Sequence, residues 1–124
     1  MKYYLAIDIG ASSGRHILSH IEDGKIILEE VYRFENGMEE KDGHHIWNYR
    51  KLFDNILEGL KICKTVGKIP ESVGIDTWGV DYALLDKNDK VIGDVFAYRD
   101  GRTEEPIKKL HSVIPFEKLY ERTG

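Results

Sequence analysis

The chain is 124 residues long, 32% of them charged, with a formal net charge of −4. That length permits one domain with a real core, and a mixed-sign, slightly acidic charge argues against a nucleic-acid or anionic-membrane surface and for a small ligand. Cys63 is the only cysteine, which excludes an internal disulfide and points to a reducing, cytoplasmic compartment; no apolar run reaches spanning length, and the first residues carry no secretion-signal pattern.

From the amino end, the apolar run Tyr3-Tyr4-Leu5 is predicted to be a buried strand that delivers Asp8 and a small-residue turn to the mouth of a sheet. The stretch Ala6 to Arg15, A-I-D-I-G-A-S-S-G-R, has the chemistry of a phosphate cradle. Gly10 and Gly14 are expected to take backbone angles closed to other residues. Ala11, Ser12 and Ser13 are small enough for a polyphosphate to approach main-chain N–H groups. The serine hydroxyls and Arg15 add donors, and Asp8, an acceptor beside a phosphate site, suits Mg²⁺ or its water shell. The alternative is an ordinary hairpin turn with a solvated aspartate.

Arg15 to Glu22 and Lys25 to Phe34 are predicted strands joined by the two-residue hairpin Asp23-Gly24, so three antiparallel strands open the fold. On the returning strand the alternation assigns Ile26, Leu28, Tyr32 and Phe34 to one face and Ile27 and Val31 to the other. Glu35 to His45 is rich in charge and contains Asn36-Gly37 and Asp42-Gly43, and it is expected to be an exposed connection. His44 and His45 have no third ligand nearby and read as polar loop residues.

Asn48 is a predicted cap for a helix starting at Tyr49. Tyr49, Leu52, Phe53, Ile56, Leu60 and Cys63 recur at spacings of three and four, which makes one stripe of them and places Cys63 in the core. Gly67 and Pro70 are expected to close this helix. Val73 to Thr77 reads as a short buried strand; Tyr82 to Leu85 and Val91 to Tyr98 read as two more, joined by the turn Asp86 to Asp89. Arg99 to Thr103 is a polar bend. A helix is predicted from Glu104, with Ile107, Leu110 and His111 on one stripe, and a last short one opened by Pro115 through Phe116, Leu119 and Tyr120. Gly124 follows that helix directly, a residue expected to lead onward from a helix end.

Three strand ends gather polar or glycine residues: Asp8 to Arg15, Asp76 to Asp81, and Arg99 to Thr103. In an open α/β sheet such ends share one cleft if the strand order allows. Asp76, Trp78 and Asp81 combine a flat apolar ring with carboxylates and main-chain amides, a palette that suits a sugar. Arg99 and Asp100 add a donor and an acceptor. The alternatives are a core tryptophan with capping aspartates, and a surface salt bridge of little energetic weight.

The motifs A-I-D-I-G-A-S-S-G-R, then Asn36-Gly37 before a polar loop with Trp47, then G-I-D-T-W-G-V-D-Y-A-L-L-D from Gly74, then A-Y-R-D-G-R-T from Ala97, resemble the amino-terminal part of the FGGY carbohydrate kinase family, in its rhamnulokinase branch. The resemblance covers the whole chain. It implies an α/β, ribonuclease-H-like or actin-like ATPase fold of which residues 1–124 form an incomplete first domain, a mixed sheet with antiparallel opening strands and flanking helices. It implies ATP and Mg²⁺ as cofactors and L-rhamnulose as the sugar. Ala11, Ser12, Ser13, Gly14 and Arg15 then match the first phosphate loop, and Asp8 the carboxylate near the metal. Gly79 beside Trp78 matches a sugar contact, and Arg99 and Asp100 fall in a block near the sugar. Ala11 stands where most of the wider family carries Thr, and the rhamnulokinase branch resembles this chain there. The family's general base and adenine pocket match nothing in these residues and are expected beyond Gly124. The 124 residues alone are therefore expected to be inactive and, with edges and apolar faces uncovered, to self-associate. The competing expectations are another FGGY kinase acting on a different ketose or polyol, or a non-catalytic binding module of the same fold should the protein end at Gly124.

Overall fold

A computed structural model describes all 124 residues. The elements in chain order are β1 (Tyr3–Ile9), β2 (Ser13–Glu22), β3 (Lys25–Glu35), β4 (Glu39–Lys41), β5 (His44–Trp47), α1 (Tyr49–Thr65), β6 (Pro70–Thr77), β7 (Val95–Phe96), a 3₁₀ turn (Gly101–Thr103), α2 (Glu104–Val113) and α3 (Phe116–Thr123). They form a four-stranded sheet of order β3-β2-β1-β6 and a small sheet of order β4-β5-β7. The three opening strands are antiparallel, as expected, and β6 lies parallel to β1. Parallel neighbours need a crossover, and α1 supplies it.

The first core lies between the large sheet and α1. Alternation along β1 turns Leu5, Ile7 and Ile9 inward, where they meet Leu18, Phe34 and Cys63, with Leu52, Ile56 and Leu60 of α1 against them. Burying side chains of the size of Ile7 and Leu18 contributes about 1.5–3 kcal/mol each. Helix α1 begins where Asn48 Oδ1 accepts from the Lys51 N–H at 3.0 Å. It ends in a Schellman arrangement, with the Gly67 N–H on the Lys64 carbonyl and the Lys68 N–H on the Cys63 carbonyl; Gly67 sits at φ 72°, where its missing Cβ is needed. Pro70 does not close the helix but opens β6. Tyr49 and Phe53 of the predicted stripe stay exposed. The residue the stripe missed is Gly59, buried against the ring of His16, which a methyl group at that position would overlap.

The Asp23-Gly24 hairpin forms as predicted, with positive φ at both residues. The face assignment on β3 needs correcting. His16 pairs with Tyr32 but Ile17 pairs with Glu30, so a bulge at Val31 flips the alternation. Tyr32 and Phe34 therefore share the core face with Ile27, and Ile26 and Leu28 fall on the other, exposed face.

Three further expectations are corrected. The connection from Glu35 to His45 contains the β4–β5 hairpin, whose turn Asp42-Gly43 has both φ values positive; the same dipeptide rule that found the first hairpin applies here. Val73 and Ile75 are exposed, because β6 is an edge strand with helix α1 covering only the far part of the sheet. The segments Tyr82 to Leu85 and Val91 to Tyr98 are mostly irregular: one bridge joins Leu85 to Val91, and only Val95–Phe96 is a strand, paired with β5. Asp86 shapes the turn between them by accepting from the N–H groups of Asn88 and Lys90. Helices α2 and α3 form where predicted, but Ile107, Leu110, Phe116 and Tyr120 remain exposed. Gly124 caps α3: its N–H donates to the Tyr120 carbonyl at 2.9 Å and its φ is 84°.

A second, smaller core joins Trp47, Val95 and Ala97, with Ala11, Met38, Trp78 and Val91 packed against it. It is the joint between the two sheets. No helix is long and apolar enough to cross a membrane.

Candidate functional site

Asp8 is the penultimate residue of β1 and points away from the core that Ile7 and Ile9 enter. The register sets Arg15 of β2 on one side of it and Asp76 of β6 on the other. Arg15 Nε lies 3.0 Å from Asp8 Oδ2, both side chains partly exposed. That Nε is shielded from solvent but out of line for a hydrogen bond, so the pair is held by charge. Two carboxylates on adjacent strand ends form an all-oxygen donor set, which fits a hydrated Mg²⁺ that takes one or two carboxylates and completes its shell with water and phosphate.

The turn beyond Asp8 is tighter than the sequence suggests. Ser13, Gly14 and Arg15 belong to β2, leaving Gly10, Ala11 and Ser12 as the tip. Neither Gly10 nor Gly14 is at positive φ. Gly14 is glycine because the outer end of the Phe34 ring lies against it, where any Cβ would overlap the ring. The Gly10 N–H donates to the Ser13 carbonyl at 2.9 Å. Asn36 braces the tip from outside: its N–H donates to the Ser12 carbonyl and its Nδ2 to the Gly10 carbonyl, both at 2.9 Å. With these bonds made, the N–H groups of Ala11 and Ser12 have no partner in the chain. Two free amides at a rigid hairpin tip are an anion-binding feature.

The second strand end follows β6. Asp76 is exposed, and Trp78 lies in the joint with its indole N–H donating to Asp81 Oδ2 at 2.6 Å. The same oxygen accepts from Trp47 Nε1 at 2.8 Å, and the two indole rings tilt against each other with centroids 4.4 Å apart. Asp81 is thus engaged with the tryptophans. Val80 adopts φ 68°, which for a β-branched side chain costs on the order of 1–3 kcal/mol. Gly79 is exposed and a Cβ there would meet nothing, so packing within this chain does not demand the glycine. Ala11 and Trp78 pack on the same core cluster, which brings the first two strand ends together.

The third end, Arg99 to Thr103, is joined through Ala97 of that cluster. Asp100 is buried there and does not face the cleft as a sugar contact would. Its side chain is 1% exposed and faces inward. It accepts from the His45 N–H at 2.8 Å, from His44 Nδ1 at 3.1 Å and from the Arg102 N–H at 3.2 Å. These bonds, led by that from His45, hold its carboxyl down at about 2, against an ordinary 3.8. Asp100 therefore ties the β4–β5 hairpin to the bend and has no free oxygen to offer a ligand. Arg99 is exposed, its guanidinium 5.4 Å from the Tyr98 ring centroid. Gly124 belongs to none of the three strand ends. It is exposed and caps α3.

The sequence marked Trp47 and Asn36 only as landmarks of the resemblance, and their roles were missed together with the His44–Asp100 tie. Asp42-Gly43 between short alternating runs was the available signal for the hairpin that carries Trp47; nothing local marks Asn36 as a brace, because its partners are 24 and 26 residues away.

Residues 3–124 match the model of the "FGGY family of carbohydrate kinases, N-terminal domain". Among curated relatives, the chain is 48% identical over 124 residues to the rhamnulokinase of Ligilactobacillus salivarius, covering 100% of this chain and 26% of that protein. It is 46% identical over 122 residues to that of Enterococcus faecalis, covering 98% and 25%. The chain thus spans about a quarter of the length of these relatives, and in both of them most of the protein lies outside the matched part. Among solved structures, it superposes on ligand-bound xylulose kinase from Lactobacillus acidophilus with a TM-score of 0.75 at 16% identity, covering 100% of this chain and 25% of the other. Plasmodium falciparum glycerol kinase with ADP gives a TM-score of 0.66 at 18% identity, covering 90% and 23%. The fold is that of the sugar kinases, actin-like and with the mixed sheet expected.

Proposed function

Because the chain belongs to the FGGY family of carbohydrate kinases, we propose that it forms one wall of the active cleft of a rhamnulokinase, as the incomplete first domain of a longer enzyme. The reaction is transfer of the γ-phosphate of ATP to the primary hydroxyl of L-rhamnulose, giving L-rhamnulose 1-phosphate. The observation that carries this reading is the pair of unpartnered amides at Ala11 and Ser12, at the tip that follows Asp8, with Ala11 packed on the same core cluster as Trp78. It supports a site in which amide donors, a carboxylate and an aromatic ring share one sheet end. Identity of 48% to a rhamnulokinase over all 124 residues supports the choice of branch.

Phosphoryl transfer asks a protein mainly for positioning and charge stabilisation. The Gly10–Ser12 tip, with Ser13 and Gly14 behind it, donates amides to the phosphates. Arg15 supplies positive charge and holds Asp8 in place until nucleotide arrives. Asp8, with Asp76 beside it, would hold Mg²⁺, which when bound neutralises phosphate charge. On the sugar side, Trp78 offers an apolar face, Gly79 an open backbone, and Asp76 and Arg99 polar partners for hydroxyls. Asp81 and Asp100 hold these groups from behind. The general base and the adenine pocket come from the remainder of the enzyme, beyond Gly124.

The test is sugar-dependent ADP release by the complete protein over a panel of ketoses and polyols. L-rhamnulose is expected to give the highest kcat/KM. A better substrate elsewhere in the panel moves the chain to another branch, and no sugar-dependent ADP release rejects the kinase reading. Asp8→Asn is expected to lower kcat by about 100-fold or more, the scale of losing one electrostatic stabiliser, while sugar affinity stays within a few-fold. Equal losses in both would remove Asp8 from the metal role.

A further inference from the structure

Residues 78–81 combine two features that phosphoryl transfer does not itself require. One carboxylate oxygen, Asp81 Oδ2, accepts from two indoles, Trp47 Nε1 at 2.8 Å and Trp78 Nε1 at 2.6 Å. Between Trp78 and Asp81, Val80 is held in the left-handed backbone region at φ 68° with 81% of its surface exposed. A β-branched residue stays there only when its surroundings over-determine it. The exposed Val80 side chain buries nothing that would offset the strain, so the constraint must come from its neighbours. Trp78 and Asp81 supply it: each is anchored, one by ring contact with Trp47 and the other by two hydrogen bonds, and the backbone between them has to close the gap.

Trp47 comes from β5, in the other sheet, and is 5% exposed. It cannot itself meet a sugar. Yet it fixes Asp81, and the cluster it belongs to also receives Ala11 from the phosphate hairpin. A carboxylate accepting two N–H bonds is a stronger tie than neutral hydrogen bonds provide, and misplacement of a binding group by a fraction of an ångström is costly. Resting on the kinase reading above, we infer that the Trp47–Asp81–Trp78 clamp is a positioning device, which holds the strained Trp78–Val80 segment at a fixed place relative to the phosphate hairpin and governs sugar affinity through that segment. Asp81 and Trp47 are positioning residues; Trp78 and Gly79 are the groups that meet the sugar.

Three variants of the complete enzyme test this. Trp47→Phe keeps the ring and removes one indole N–H, so it is expected to raise the KM for sugar about 3-fold or more with the KM for ATP unchanged. A role confined to packing would lower stability and leave both KM values alone. Asp81→Asn is expected to raise the sugar KM about 10-fold, and less than that in a Val80→Gly background, where the segment no longer needs to be held; a tenfold change corresponds to about 1.4 kcal/mol. An equal loss in both backgrounds, with Trp47→Phe silent, makes Asp81 a direct sugar ligand and overturns the inference. If Asp81→Asn does not fold, Trp47→Phe alone decides. If the enzyme turns over no sugar, the kinase reading fails separately, and the clamp is judged on denaturation midpoints. Non-additive effects of Asp81→Asn and Val80→Gly then sustain it, and additive ones end it.

Discussion

The two cores of this domain are built on different physics. Between the large sheet and α1, six buried apolar residues, Leu5, Ile7, Ile9, Leu18, Phe34 and Cys63, close on one another, and His16, its side chain fully buried, is sealed among them. At the joint between the sheets only three apolar residues, Trp47, Val95 and Ala97, are buried. There, two carboxylates do the organising: Asp81 on two indoles, and Asp100 on the hairpin and the bend. Apolar area decides where regular elements pack. A carboxylate with several donors decides where irregular segments sit, and the candidate sugar wall is irregular.

The largest expected effect probes the first core at its closest approach. Gly59→Ala places a methyl group in the ring of His16, whose Nε2 donates to the Ile56 carbonyl at 3.1 Å. Helix α1 must lift from the sheet, at a cost of about 1–3 kcal/mol or more, read as a drop in the denaturant midpoint of the complete protein. Pairing it with His16→Ala should return part of the loss. Strict additivity of the two changes would show that the contact is looser than described.

Acid separates the two regions. Asp100→Asn is expected to destabilise next most, since an amide nitrogen is turned toward donors from His45, His44 or Arg102. The folded carboxyl lies at about 2 and the ordinary value is 3.8, so the stability it contributes is complete above 3.8 and is lost as pH falls toward 2. The gap between wild type and Asp100→Asn should therefore narrow across that window; a gap that stays constant contradicts the role given to the charge. His16 behaves differently. Burial depresses its pKa below 6.5, so the fold holds it neutral, and its contribution is complete above 6.5 and declines as pH falls below that. His16→Gln, which still donates to Ile56 but takes up no proton, should flatten the decline that begins near 6.5, by less than Asp100→Asn costs. On acidification the sheet-and-helix core weakens first and the joint holds longer.

This division also explains what was legible in the sequence. β1, β2, α1 and the Asp23-Gly24 hairpin follow from periodicity and local caps, because each is decided by neighbours within a few residues. The face error on β3 comes from a single bulge at Val31, which no alternation rule detects before the partner strand is known. Of the strands expected at Tyr82 to Leu85 and Val91 to Tyr98 only Val95–Phe96 forms, because that segment is fixed by Asp81, Asp86 and the partner β5 rather than by its own pattern. The Gly10–Ser12 hairpin was marked by its glycines, yet for a partly mistaken reason: Gly14 answers to the Phe34 ring. Asp100 was visible as a polar bend residue, but its inward direction depends on His44 and His45, 56 and 55 residues away.

The smallest expected effect tests whether burial or proximity sets the strength of these carboxylate ties. Lys41 on β4 meets Asp94 at 2.7 and 3.0 Å, distances as short as any that Asp100 makes, and in the same region of the molecule. The Lys41 pKa is raised, first by its hydrogen bond to Asp94. Both side chains remain well exposed, however, 51% and 38%, so water and salt screen the pair and the ordering of two side chains offsets most of what is left. Breaking it leaves no buried group without a partner. Lys41→Gln should therefore shift the denaturant midpoint barely at all, and whatever shift exists should vanish at high salt. A loss comparable to that of Asp100→Asn would mean that the joint depends on its surface ion pairs, and the contrast drawn between a buried carboxylate and an exposed one would have to be given up.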